Sequence, residues 1–237
     1  MKRIIPLLIG ISALSLTASA STVSWGVDND FNMVLHDAQG ALLRIGSYLR
    51  IGTFSLSDIQ IQALAEPTPS NIASLDAAFT PFGSTVARIG GDFTDGGGVS
   101  AVSSQTLGSS NALIGAQIYI WAFKSTNDTS AALSLSTAFQ QAIFYRNKAV
   151  DADWQFPGDL SPAPTIDAGD LRTAGGALAS GGVILAGSFV PNSVAGAAYN
   201  TQATSAIQLV AAVPEPTSVF LIAAGAAGLM MRRRRQS

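Results

Sequence analysis

The sequence predicts a mainly β chain. It reads as an antiparallel β-sandwich-like domain with one or two short helices inserted, preceded by an N-terminal signal helix and followed by a C-terminal apolar helix. Three observations lead there. Short runs rich in β-branched and aromatic residues recur through the body, separated by turns that carry glycine, asparagine and aspartate. Each end combines a basic flank with a short apolar run. Cysteine is absent, which excludes disulfide stapling, thiolate catalysis and cysteine-ligated zinc, so burial alone must hold the body. Once both ends are set aside, a body of about 190 residues remains, long enough for one domain.

Residues 1–20 have the layout of a secretory signal peptide: Lys2 and Arg3, an apolar stretch from 4 to 16, and the small-residue close Ala18-Ser19-Ala20. The mature chain is expected to begin near Ser21. In the body, residues 23–27, 33–36, 41–45, 48–54, 113–123, 142–146, 183–190 and 206–210 read as strands. Residues 37–40 read as a hairpin connection. Two stretches read as helices. One is IQIQALAE, capped by Ser57 or Asp58, although its alternation also fits a strand. The other follows Ser70, with Ile72, Leu75 and Phe79 at helical spacing and Pro81 as its stop. Glu66-Pro67-Thr68-Pro69 between them is a turn. Glycine-rich loops occupy 90–98 and 168–182. Residues 21–212 thus read as one domain without an internal repeat.

The C-terminal segment, 213–237, is built differently. Residues 218–231 carry no charge, and as a helix with a rise of about 1.5 Å per residue they reach ~21 Å. That is short of a hydrocarbon core of about 30 Å, so insertion as a transmembrane helix requires bilayer thinning or snorkelling of Arg232. The run Arg232-Arg233-Arg234-Arg235 is a basic stop that stays cytoplasmic. Pro214 and Pro216 fix φ and withhold donors, which keeps 213–216 extended around Glu215, a shape a processing enzyme can grip.

Charge narrows the partners. Of thirteen basic residues six lie in the two ends, and of fifteen acidic residues only Glu215 does, leaving the body at about −7. No basic patch for nucleic acid remains.

Candidate chemistry is sparse. His36, the only histidine, would have to serve any Ser-His-Asp hydrolase, but no G-x-S-x-G elbow is present and it reads as a surface residue at a strand end. Asp28, Asp30 and Asn32 place oxygen ligands at alternate positions as calcium loops do, without the glycine and distal glutamate of an EF-hand. Asp92 with Asp95, and Asp167 with Asp170, are two further loop pairs of the same kind. Glu66 is the one glutamate before the tail and lies in the proline turn, so no carboxylate pair for glycoside hydrolysis stands out. The glycine runs lack the Gly-Lys-Ser/Thr of a phosphate loop. Tyr119, Trp121 and Phe123 alternate, so they share one face of a strand. Exposed, that face is a platform for sugar rings; buried, it is core. The intervening Ile118, Ile120 and Ala122 are also apolar, which favours core. Trp154-Gln155-Phe156-Pro157 reads as a strand end.

The order of parts in the tail is the most specific signal. Val213-Pro214-Glu215-Pro216, an apolar helix and Arg232 to Arg235 together resemble the PEP-CTERM sorting signal of Gram-negative bacteria. The resemblance covers about 25 of 237 residues. It implies recognition of Pro214, Glu215 and Pro216 by an exosortase, a membrane-embedded transpeptidase-like enzyme. It also implies transit through the inner membrane to the cell surface or extracellular polymer matrix. RIGTF, YIWAF and WQFP look like segments in the bodies of other proteins with such tails, and no activity follows from that similarity. The resulting expectation is a non-enzymatic, exported structural or adhesive protein. The alternatives are a carbohydrate- or calcium-binding matrix module and a secreted hydrolase of polysaccharide or peptide.

Overall fold

A computed structural model describes residues 20–27, 33–43, 47–83, 87–88, 99–106, 111–125, 135, 138–158, 163–191 and 205–212. The elements in chain order are β1 (Ala20–Val27), β2 (Met33–His36), β3 (Ser47–Phe54), α1 (Asp58–Ala63), α2 (Pro69–Ala78), β4 (Phe79–Pro81), β5 (Ala87–Arg88), β6 (Val99–Thr106), β7 (Tyr119–Ser125), β8 (Ala138–Arg146), β9 (Thr165–Asp167), β10 (Gly182–Ala186), β11 (Ser188–Pro191), β12 (Ser205–Gln208) and β13 (Val210–Ala211). Single 3₁₀ turns occupy Ala152–Trp154 and Ala168–Leu171. The fold is mainly β with few short helices, as the turn-punctuated strand pattern predicts. The expected signal helix and C-terminal apolar helix lie outside the described residues.

The strands form three sheets, ordered β6-β1-β9, β10-β8-β7-β3-β4 and β11-β12-β2, with β13 beside β8 and β5 beside β3. Most neighbours are antiparallel, but β1 with β9 and β12 with β2 are parallel. These parallel pairs join segments far apart in the chain, which local alternation does not reveal. One apolar cluster, containing residues of β1, β2, β3, β7, β8 and both helices, is the core.

The centre of that core is β7, buried on both faces. Tyr119, Trp121 and Phe123 are 8, 0 and 0% exposed, and Ile118, Ile120 and Ala122 are all fully buried. The register pairs Trp121 with Arg50 of β3 and with Ile143 of β8. On that face Phe79 packs edge-on against Trp121, with ring centroids 5.4 Å apart. The Arg50 guanidinium lies 4.8 Å from the Phe79 ring centroid and holds Asp76 of α2 at 2.7 Å. α2 and β4 are thereby laid across the sheet.

Local chemistry explains where the helices begin and end. Gln60 accepts the Ser57 backbone N–H at 2.9 Å, so Ser57 caps α1 and the strand alternative for IQIQAL is overturned. For α2 the cap is Thr68, two residues before the expected Ser70. Its hydroxyl accepts from Asn71 N at 3.3 Å, and Pro69 occupies the first turn, where its missing N–H costs nothing. The helix stops at Ala78 rather than at Pro81, because Phe79 turns extended and pairs with Phe54.

Several expected strands are shorter or broken. Residues 41–43 make only an isolated bridge, Leu42 to His36, after a tight turn in which Gly40 N donates to Asp37 O at 2.9 Å. Residues 113–118 are not a continuous strand: 112–115 are turn, where Asn111 Oδ1 accepts from Leu113 N at 2.9 Å and Gly115 has φ +71°, and Gln117 makes only an isolated bridge to Gln155. The expected strand at 183–190 divides at Gly187, whose φ of +92° lets the chain leave the β8 sheet for the β12 sheet.

A second glycine is required by close packing. A Cβ on Gly52 would lie 2.4 Å from both the Phe79 ring and Thr80 O. Gly52→Ala should therefore destabilise the body by about 1–3 kcal/mol in urea unfolding, and Gly40→Ala, in open space but at positive φ, should do so without a steric term. Combining Gly52→Ala with Phe79→Ala should recover only the part of the clash made by the ring and leave that with Thr80 O, a double-mutant coupling that equilibrium unfolding reads directly.

Candidate functional site

The face of β7 read as a possible sugar platform lies inside the protein. Phe54, Phe79 and Arg50 cover Tyr119 and Trp121, and Phe123 stacks near Tyr48 at 5.5 Å. With at most 8% exposure, Tyr119, Trp121 and Phe123 are core, as the apolar residues between them favour, and the alternative of a sugar platform is corrected. The apolar residues on both sides of the strand demand that outcome, since each face needs a covering layer.

The polar heads of Trp121, Gln141, Tyr119 and Tyr145 inside this core are paired. Gln141 of β8 is fully buried; it accepts from Trp121 Nε1 at 3.0 Å and donates to Leu64 O and Ala65 O at 3.3 and 2.8 Å. It thus satisfies carbonyls at the end of α1, where helices leave acceptors open. At the other end of α1, Asp58 accepts from Tyr145 Oη at 2.5 Å and from Tyr119 Oη at 3.3 Å. The two rings lie 4.8 Å apart. Burial, reinforced by the charge of Asp58 and its hydrogen bond, pushes Tyr119 up to about 12. Burial and the hydrogen bond to Asp58 raise Tyr145 further. Neither Asp58 nor Gln141 stands out from the sequence as part of such a network. The period-2 spacing of Gln141, Ile143 and Tyr145 on β8 is the signal that puts Gln141 and Tyr145 on one face.

The loop carboxylates Asp167 and Asp170 serve the backbone. Asp167 Oδ1 accepts from Gly169 N at 2.6 Å. Asp170 Oδ2 accepts from Asp167 N at 2.9 Å and from Trp154 Nε1 at 3.1 Å. Burial raises the Asp170 carboxyl above its usual range, against the lowering effect of those two donors. The Trp154 segment is itself a 3₁₀ turn with Trp154 fully buried, not a strand end. It is tied to the turn at 112–115 and the residues after it by Gly115 N to Phe156 O at 2.9 Å and Ile118 N to Trp154 O at 3.0 Å.

Where those two turns meet, the surface opens into a cleft of about 380 Å³, bordered by Ile114, Asp153, Gln155, Phe156, Pro157 and Pro164 among others. Asp153 is exposed and Gln155 half-buried, so the apolar walls carry two accessible polar heads. Neither His36 nor Glu66 borders this cleft. His36 closes β2 as expected, but it is 2% exposed rather than a surface residue, because Leu43 and Leu209 pair with the chain beside it.

Other predicted site residues fall outside the described residues: Asp28, Asp30 and Asn32, Asp92 and Asp95, Pro214, Glu215 and Pro216, and Arg232 to Arg235. Among the described residues no group of three or more metal-ligating side chains converges. None of the described helices is long and apolar enough to cross a membrane.

The tyrosine pair makes a pH prediction. A phenol whose folded pKa is raised stabilises the fold fully below the ordinary value of 10.0 and loses that contribution as pH climbs towards about 12. Stability should therefore fall across that window, and the Tyr119→Phe/Tyr145→Phe double variant should show a flatter decline there. Denaturation midpoints at stepped pH, beside tyrosinate absorbance, would check both.

No curated protein and no solved structure matches the chain. Residues 212–235, beginning one residue after β13, do match the family model of the PEP-CTERM protein-sorting motif, which implies an exported chain with an exosortase as its processing partner.

Proposed function

We propose that the body is a non-enzymatic structural or adhesive domain, delivered to the cell surface or extracellular matrix when an exosortase acts at Pro214, Glu215 and Pro216. The observation that carries this reading is the sorting-motif match at 212–235. On this reading the protein passes through the inner membrane by way of residues 218–231, with Arg232 to Arg235 holding the cytoplasmic side. A chain with no cysteine and a core held by burial and paired polar groups suits a scaffold whose only task after export is to remain folded.

The test compares the native host's wild-type protein with a variant carrying alanine at 214, 215 and 216, using fractionation and intact mass. Wild type should lie at the surface without its C-terminal segment, and the variant should keep that segment in the inner membrane. Wild type and variant retained together, both full length, would overturn the sorting role of the motif.

A second reading is favoured by the cleft beside Trp154: a carbohydrate-binding module, with calcium at Asp28, Asp30 and Asn32 as a stiffening ion. The cleft offers an acidic and an amide head above apolar walls, a combination that suits hydroxyl-rich ligands. Under this reading, calorimetry with the host's extracellular polysaccharide should show binding that Asp153→Ala/Gln155→Ala weakens at least about tenfold. Thermal melts with calcium and with chelator should differ, and coincide once Asp28 and Asp30 are alanine.

A further inference from the structure

The last described strand, β13, ends at Ala211, and Ala212, whose N–H donates to Phe139 O, is already the first residue of the sorting-motif match, so the motif follows the paired strand directly. How the last strands are held differs sharply along the chain. β12 is sandwiched between β11 and β2, with four paired positions on each side. Gln208 donates to Ala38 O at 3.0 Å, Leu209 N donates to His36 O at 2.9 Å, and Leu209 is 2% exposed. β13, by contrast, pairs only Val210 with Gln141 and Ala211 with Gln140, and both residues are half-buried. The contact from Ala212 N to Phe139 O is long, at 3.3 Å.

Chain geometry gives this contrast a consequence. With β13 in place, Pro214 lies two residues beyond the last paired contact and can stand at most about 7 Å from it. With β13 released, the tail is anchored at Leu209 and Pro214 can reach ~17 Å. Paired, β13 runs its length along β8 and leaves Pro214 a tether of about 7 Å from the sheet; released, those same residues can point away from the sheet and give the motif more clearance. An enzyme embedded in a membrane needs that clearance, because a folded domain pressed against it excludes its active site from the chain.

We propose that β13 is a releasable latch, and that its detachment from β8 is required before the processing enzyme takes residues 214–216. The inference rests on the sorting reading above. A two-residue end strand is the kind of element that opens locally without unfolding the rest, while β12 and Leu209 keep the core closed.

The test uses the full-length chain in its native host, followed by intact mass over time. Gln140→Cys/Ala211→Cys joins the two strands, since antiparallel partners lie about 4.5–5.5 Å apart at Cα, within disulfide range. The chain has no other cysteine to compete. Tail removal should be several-fold slower in the linked variant than in either single-cysteine variant, with protease resistance of the body confirming that all three fold. An insert of about six Gly/Ser residues after Ala212, adding about 20 Å of reach, should restore the rate in the linked chain. The same insert in the otherwise unaltered chain should speed removal. Linked and single variants processed equally fast, or an insert without effect in both backgrounds, would overturn the latch. A wild type whose tail is never removed would overturn the sorting reading, and the latch with it.

Discussion

Burying β7 on both faces is the constraint on which the rest of the structure depends. A strand with apolar side chains at every position from Tyr119 to Phe123 cannot lie at the surface of a sheet, so a layer must form on each side. On the side of Tyr119 and Trp121 that layer is α1, α2 and β4, brought in by Phe79 and Arg50. On the side of Ile120 and Ala122 the register adds Leu49, Ile51, Ala142 and Phe144, all 0 to 1% exposed. Gly187, at the crossing between sheets, comes within 3.3 Å of Ala142 if given a Cβ, which places the β10–β11 corner against this second face. The two parallel pairings then close the remaining sheets over one core.

Such a core loses stability for each buried polar atom left without a partner. The indole of Trp121 and the open carbonyls at the end of α1 meet in one side chain, Gln141. The phenols of Tyr119 and Tyr145 meet in Asp58. Losing either partner would leave buried donors or acceptors without bonds, at a cost of about 1–3 kcal/mol for each group. These two residues therefore tie the two ends of α1 to the sheet in one orientation, which apolar contact alone specifies poorly. The same logic applies at Trp154, whose indole uses the Asp170 carboxylate that also receives the Asp167 backbone.

Architecture and address occupy separate stretches of the chain but touch at one point. The body closes with β12 and Leu209 deep in the structure, and β13 forms a brief last contact before the motif begins. Under the latch proposal, a sorting signal attached without a spacer makes the handling of the tail sensitive to the folded state of the body. A long flexible linker would have removed that sensitivity.

Some of this was legible in the residues alone. The sorting motif and the strands at 33–36, 48–54 and 142–146 follow from local pattern, because proline geometry, charge placement and side-chain alternation act over a few residues. The helix after Ser57 follows from its cap and spacing for the same reason. The division at Gly187 and the burial of His36 do not, since each is settled by packing against distant segments, whereas the α2 cap at Thr68 and the turn before β7 rest on local cues, Pro69 and Asn111 with Gly115, that the strand and helix patterns overrode. Trp121 illustrates the boundary: its alternation with Tyr119 and Phe123, with apolar residues between them, already favoured a strand covered on both faces, and the tertiary structure decided that Phe79 and Arg50 are the cover. Local backbone preference determined which residues are strands, and long-range burial decided which strands meet and what they cover.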